Sequence, residues 1–143
     1  MTVADFKRVR AAASGTWWKA FLLVAYTTGA RLSEILNLMW VDVDFEENRI
    51  RIVRKEAEGG LGEWEPKDHE GRLLPAPAET IQALADLQPL CAEGSQYVFV
   101  SDERWRRLED SKKVGKWSGR QLVLNNLHRE LKSGIATASA LAE

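Results

Sequence analysis

The sequence predicts a mainly helical domain with a small antiparallel β insertion, an α+β fold, and three observations carry that prediction. Apolar residues recur at helical spacing from Phe6 to Met39. The period then switches to alternation at Arg49-Ile50-Arg51-Ile52-Val53-Arg54, as in a half-buried strand. Helical spacing returns after Pro75 and Pro77. A chain of 143 residues suits one domain, 1–143, and no repeat or linker divides it.

Element by element, Thr2 is a good helix cap, and Phe6, Val9, Arg10 and Ala13 follow at helical spacing. Ser14-Gly15-Thr16 interrupts the pattern. A second helix over 17–28 is apolar on nearly every side (Phe21, Leu22, Leu23, Val24, Ala25, Tyr26), which implies a buried central helix. Gly29 suits a left-handed C-cap. A third helix over 32–39 carries Leu32, Ile35, Leu36 and Met39 on one face.

The turn 44–48 precedes the alternating strand, and the Gly-rich stretch 58–62 breaks the chain after it. Residues 71–75 read as a second short strand, ended by Pro75 and Pro77. A helix over 78–87 stops at Gln88-Pro89, and 97–100 reads as extended. Ser101 then suits the cap of a helix with Trp105 and Leu108, and Ser118 the cap of a last amphipathic helix with Leu122, Leu124, Leu127 and Leu131.

Hydrophobic residues make up 45% and charged residues 29%, an ordinary globular composition. One cysteine, Cys91, excludes an internal disulfide and reads as a small, partly buried hydrophobe. No apolar run reaches the roughly 18–20 residues of a membrane span, and no signal peptide opens the chain, so a cytoplasmic location is expected. The formal net charge is −1, yet the charge is uneven. Between Arg104 and Lys132, nine basic residues (Arg104, Arg106, Arg107, Lys112, Lys113, Lys116, Arg120, Arg129, Lys132) face only Glu109, Asp110 and Glu130. Such a stretch is either a solvated face or a local nucleic-acid surface.

Two stretches could carry chemistry. In Thr28-Gly29-Ala30-Arg31-Leu32-Ser33-Glu34, Arg31 and Glu34 start a helix three residues apart and face the same way. They form either a local ion pair or a phosphate grip in which Glu34 supports the Arg31 fork, a planar geometry that lysine cannot copy. In Lys67-Asp68-His69-Glu70-Gly71-Arg72-Leu73-Leu74-Pro75, Lys67 lies near a hairpin tip. It is either a solvated turn residue or a general acid that protonates a leaving oxygen.

Read together, these stretches and Trp40-Val41-Asp42-Val43-Asp44 between them resemble the tyrosine recombinase (phage integrase) family. The match consists of T-G-x-R-x-x-E, an apolar run into the aromatic step, then a lysine, four residues, an arginine, two apolar residues and a proline. It covers nearly the whole chain as the N-terminal part of that family's catalytic domain, and implies a truncated form of its fold. By this resemblance Arg31 is the first catalytic arginine, Lys67 the hairpin lysine and Glu34 the support of Arg31. Arg72, Arg104, Arg106, Arg107, Lys112, Lys113, Lys116 and Arg120 become expected DNA contacts. The implied reaction is a transesterification: a tyrosine attacks a DNA phosphodiester, forms a 3′-phosphotyrosyl link and releases a 5′-hydroxyl. It calls for no metal, other cofactor or small-molecule substrate, since arginines neutralise the charge. DNA is the expected partner, with self-association on it allowed.

Two parts of the family pattern do not match. A His-x-x-Arg box is expected after Gly134-Ile135, where the chain reads Ala136-Thr137-Ala138-Ser139-Ala140-Leu141-Ala142-Glu143. His128 is followed by Arg129-Glu130-Leu131 and reads as a surface residue, as does His69. No nucleophile is expected in the chain either, because Tyr26 and Tyr97 read as core aromatics. The expectation is a recombinase fragment that binds DNA without cleaving it. The alternatives are a non-catalytic DNA-binding or regulatory module and an inactive remnant.

Overall fold

The computed structural model describes residues 2–12, 15–56, 63–91 and 94–100. Among the described residues, four helices and three strands follow in order: α1 (Val3–Ala12), α2 (Thr16–Thr28), α3 (Leu32–Leu36), β1 (Val43–Asp44), β2 (Arg49–Ile52), β3 (Arg72–Pro75) and α4 (Ala78–Leu87). Single 3-10 turns occupy Trp40–Asp42 and Gln88–Leu90. The expected mixture of helices with a small antiparallel sheet is what forms. The two helices anticipated after Ser101 and the basic stretch from Arg104 to Lys132 lie outside the described residues.

Thr2 caps α1 reciprocally with Asp5: the Asp5 N–H donates to the Thr2 hydroxyl at 3.1 Å, and the Thr2 N–H donates to the Asp5 carboxylate at 3.0 Å. The Thr2 hydroxyl and amide, with Arg8 nearby, lower the Asp5 pKa to about 2. Helix α1 attaches to α2 by Phe6 stacked on Tyr26, ring centroids 3.9 Å apart. Tyr26 is thus a half-exposed surface aromatic rather than the core residue that its neighbours suggested. Tyr97 is fully buried, as expected.

Helix α2 lies against α4, and the sheet and α3 close over the same core. Ala20, Phe21 and Val24 meet Ile81, Leu84 and Leu87, with Trp17 and Phe99 packed around Phe21. Each fully buried Leu, Ile or Phe contributes about 1.5–3 kcal/mol by leaving water. In β2, Ile50 and Ile52 point inward and Arg51 outward, so the alternation marked the buried face.

The sheet runs β1-β2-β3, antiparallel throughout, with Ile50 opposite Val43 and Leu74. The Asp44 carboxylate accepts the N–H groups of Glu46 and Glu47 and shapes the β1–β2 turn, where Asn48 takes φ 53°. β2 ends at Ile52 rather than at Arg54, but its hairpin continues through a bridge between Lys55 and Trp64.

α3 is shorter than the expected 32–39. It ends at Leu36, because Leu38 and Met39 are drawn into extended pairing with residues 96–98. The Val98 N–H donates to the Leu38 carbonyl and the Trp40 N–H to the Gln96 carbonyl, both at 3.0 Å. The apolar face of the predicted helix is buried all the same, by strand-like pairing instead of a last helical turn.

Candidate active site

The turn that presents Arg31 is made by local sequence. Thr28 donates its hydroxyl to the Val24 carbonyl at 2.6 Å and accepts the Ala30 N–H at 3.2 Å. Gly29 closes α2 in the left-handed region, φ 67°. Beyond Gly29 and its chain neighbours, no described atom lies within 4 Å of where its Cβ would sit, so backbone conformation and not space favours glycine there. Thr27 ties the end of α2 to α4 through a 2.9 Å contact with the Thr80 hydroxyl. Arg31 follows in extended conformation as the cap residue of α3, and its carbonyl accepts the N–H groups of Glu34 and Ile35.

Glu34 is 1% exposed and its carboxylate is shared between two arginines in an unexpected way. One oxygen accepts the Arg31 main-chain N–H at 2.8 Å. The Arg72 guanidinium, from the first residue of β3, takes both oxygens in a fork of 3.0 and 2.8 Å. The Arg31 guanidinium comes only to 3.8 Å of Glu34. Glu34 therefore supports Arg31 through its backbone, and its charge is matched by Arg72. The Arg72 fork, read from sequence as a DNA contact, points inward onto Glu34. That pairing raises the Arg72 pKa further, with a smaller contribution from Asp68.

The Arg31 guanidinium is half exposed and meets Asp68 at 3.1 Å. Asp68 sits in the turn after Pro66, where the His69 N–H bonds the Pro66 carbonyl and His69 takes φ 58°. Its second oxygen lies 3.6 Å from Arg72. The Asp68 carboxyl is held below the usual carboxylate range, first by its own backbone N–H and then by Arg31 and Arg72. Lys67, the preceding residue, is exposed and makes no ion pair among the described residues. His69 is exposed too, 3.1 Å from Glu65. Arg31, Glu34 and Arg72 thus meet at one place, with Lys67 on the turn that Asp68 fastens to it. The remaining expected contacts, Arg104 to Arg120, lie outside the described residues.

The Phage integrase family model matches residues 2–134. The chain belongs to the phage integrase family. Tyrosine recombinase XerA of Pyrococcus horikoshii is 30% identical over 141 residues, which covers 96% of this chain and 46% of that protein. Among solved structures, a XerA recombinase superposes with a TM-score of 0.67 at 23% identity, over 97% of this chain and 42% of the other. The Tn1549 transposon integrase, solved with a circular intermediate DNA, gives 0.57 at 19% identity over 82% and 46%. The chain spans less than half the length of each of these proteins.

Sequence reasoning within this family pattern missed two features. Asp68 was one letter of the lysine motif, and nothing in its spacing ties it to Arg31. Lys55, from the edge of the Gly-rich break, is buried in an ion pair with Asp42, whose carboxylate also accepts the Met39 N–H at 3.0 Å. An acidic residue three places after a helix cap is the one local signal for Asp42. Among the described residues, no three His, Cys, Asp or Glu side chains come together as metal ligands would. No helix among them is long and apolar enough to cross a membrane.

Proposed function

We propose that this chain forms part of the catalytic domain of a site-specific DNA recombinase, with Arg31 as the ligand of the scissile phosphodiester and Lys67 as the acid. The observation that carries this reading is the Arg31 arrangement: a half-exposed fork on a backbone pinned by the buried Glu34. A phosphate offers the paired oxygens that such a fork matches. Family membership and the DNA-bound state of the Tn1549 integrase neighbour support DNA as the partner.

In the reaction, a tyrosine hydroxyl gives its proton to solvent or to a base outside these residues, its oxygen forms a bond to phosphorus, and the bond to the 5′ oxygen breaks. Arg31 stabilises charge on the non-bridging oxygens, and the leaving oxygen takes its proton from Lys67. The attacking tyrosine comes from outside these residues. Tyr97 is enclosed in the core, and the Tyr26 ring is stacked on Phe6 of α1. The chain by itself then binds DNA without forming a covalent adduct.

The test is salt-dependent binding of a labelled DNA duplex. Arg31→Ala is expected to weaken binding about tenfold or more, as loss of a charge-assisted contact does. The slope of log affinity against log salt should fall by about one. Equal affinity and equal slope for the two proteins would remove Arg31 from the phosphate site.

A further inference from the structure

We propose that Asp68 is a built-in competitor for the phosphate site: without DNA its carboxylate occupies the Arg31 fork, and a phosphodiester must displace it. This rests on the reading of Arg31 as a phosphate ligand and specifies how access to that ligand is controlled. A carboxylate and a phosphate present the same kind of oxygen pair to a guanidinium. Asp68 uses one oxygen on Arg31 at 3.1 Å and leans the other toward Arg72 at 3.6 Å.

Three features make the contact releasable rather than structural. Both partners are exposed, Arg31 by 50% and Asp68 by 43%, so water can take over either group when they part. Arg72 keeps both hydrogen bonds to Glu34 when Asp68 leaves, so the buried pair stays satisfied. The Arg31 backbone is held by Glu34 and not by Asp68, so the fork stays at its post. Asp68 also directly follows Lys67. Release of the carboxylate therefore frees the turn that carries the lysine, and phosphate binding at Arg31 is coupled to movement of Lys67. The negative charge that leaves the fork would otherwise repel the incoming phosphate, which adds to the competition.

The test compares wild type, Asp68→Asn, Arg31→Ala and the double variant by fluorescence anisotropy on one labelled duplex at low salt, with folding checked by circular dichroism. Asparagine keeps the shape of Asp68 and removes its charge. Asp68→Asn is expected to tighten DNA binding on the order of three- to tenfold, the range of a released exposed ion pair plus relief of repulsion. In the Arg31→Ala background the same change should give less than half that gain on a logarithmic scale. Weaker or unchanged binding in Asp68→Asn, while Arg31→Ala still loses affinity, overturns the competitor and leaves the phosphate ligand standing. An equal gain in both backgrounds also overturns it, because the effect would then be bulk charge. If Arg31→Ala binds like wild type, the phosphate-ligand reading itself fails, and the competitor with it.

Discussion

Glu34 and Asp42 begin from the same local device and end in different surroundings. Each carboxylate is buried, at 1% and 2% exposure, and each accepts the main-chain N–H of the residue three before it. Each also takes a cation from the β hairpin. For Asp42 the cation is Lys55, 8% exposed, whose own N–H and carbonyl pair with Trp64. For Glu34 it is Arg72, 31% exposed, whose fork also reaches the Asp68 rim. A lysine supplies a compact point charge and closes its site completely. An arginine binds two oxygens with one face and still has an edge to offer. The closed pair joins sheet to helix turn, and the open pair does the same while supporting a half-exposed Arg31. On the proposed reading of Arg31, the working end of this hairpin is the one where the buried charge pair reaches the surface.

The largest test of that contrast is at the closed pair. Lys55→Met leaves the Asp42 charge buried without a partner, and unfolding free energy should fall by about 3–5 kcal/mol, measured by urea denaturation. DNA affinity of the folded protein should stay within about twofold of wild type, because the pair does not reach the Arg31 rim. A stability loss below about 1 kcal/mol would mean that Asp42 is not committed to Lys55. A large loss of affinity with folding intact would move the site toward Lys55.

The two carboxylates were unequally legible from sequence, for a physical reason. Local rules reach about one helical turn, so Arg31 and Glu34 are legible as neighbours at a helix start, and Gly29 as the end of α2. The same range made Arg31 the natural partner for the Glu34 charge, when the partner is Arg72, brought back by the hairpin. Asp42 and Lys55 are joined only by the fold, and no spacing rule connects them. The alternation in β2 was readable because Ile50 and Ile52 bury one face of one strand. The end of α3 was not, because Leu38 and Met39 pair with residues 96–98, a competitor that helical periodicity cannot see. Lys67 stands out in the sequence only by residue type and order within the family pattern, and the contact that ties its turn to Arg31 is made by the next residue, Asp68.

A middle-sized effect is expected at the open pair. Glu34→Gln keeps the shape and one acceptor but removes the charge that balances Arg72. Arg72 is part-exposed and can recover water, so the cost in unfolding free energy should be about 1–3 kcal/mol, smaller than at Lys55. Unlike Lys55→Met, this change should also weaken DNA binding, since the Arg31 N–H loses its anionic acceptor and the fork loses its fixed base. Binding would be measured on the same duplex at one salt concentration. A pure stability loss, with wild-type affinity in the folded fraction, would make the two pairs equivalent and erase the distinction drawn between them.

The smallest and sharpest probe is Arg72→Lys, which makes the open pair resemble the closed one. A lysine at this position keeps the positive charge but can place only one ammonium against Glu34, where the arginine made two parallel bonds of 3.0 and 2.8 Å. The expected stability cost is about 1 kcal/mol, the usual net worth of one hydrogen bond. The ammonium cannot at the same time extend an edge to Asp68, so that carboxylate is left with Arg31 alone. Asp68 should then hold the Arg31 fork less divided than before, and DNA affinity should fall by about two- to threefold, an effect of the size of a weak exposed ion pair. Adding Asp68→Asn to Arg72→Lys should restore that loss, because the group that gained hold on Arg31 is gone. If Arg72→Lys lowers affinity and the added Asp68→Asn does not recover it, Arg72 acts on DNA directly through its outer edge, and its fork serves both Glu34 and the phosphate backbone.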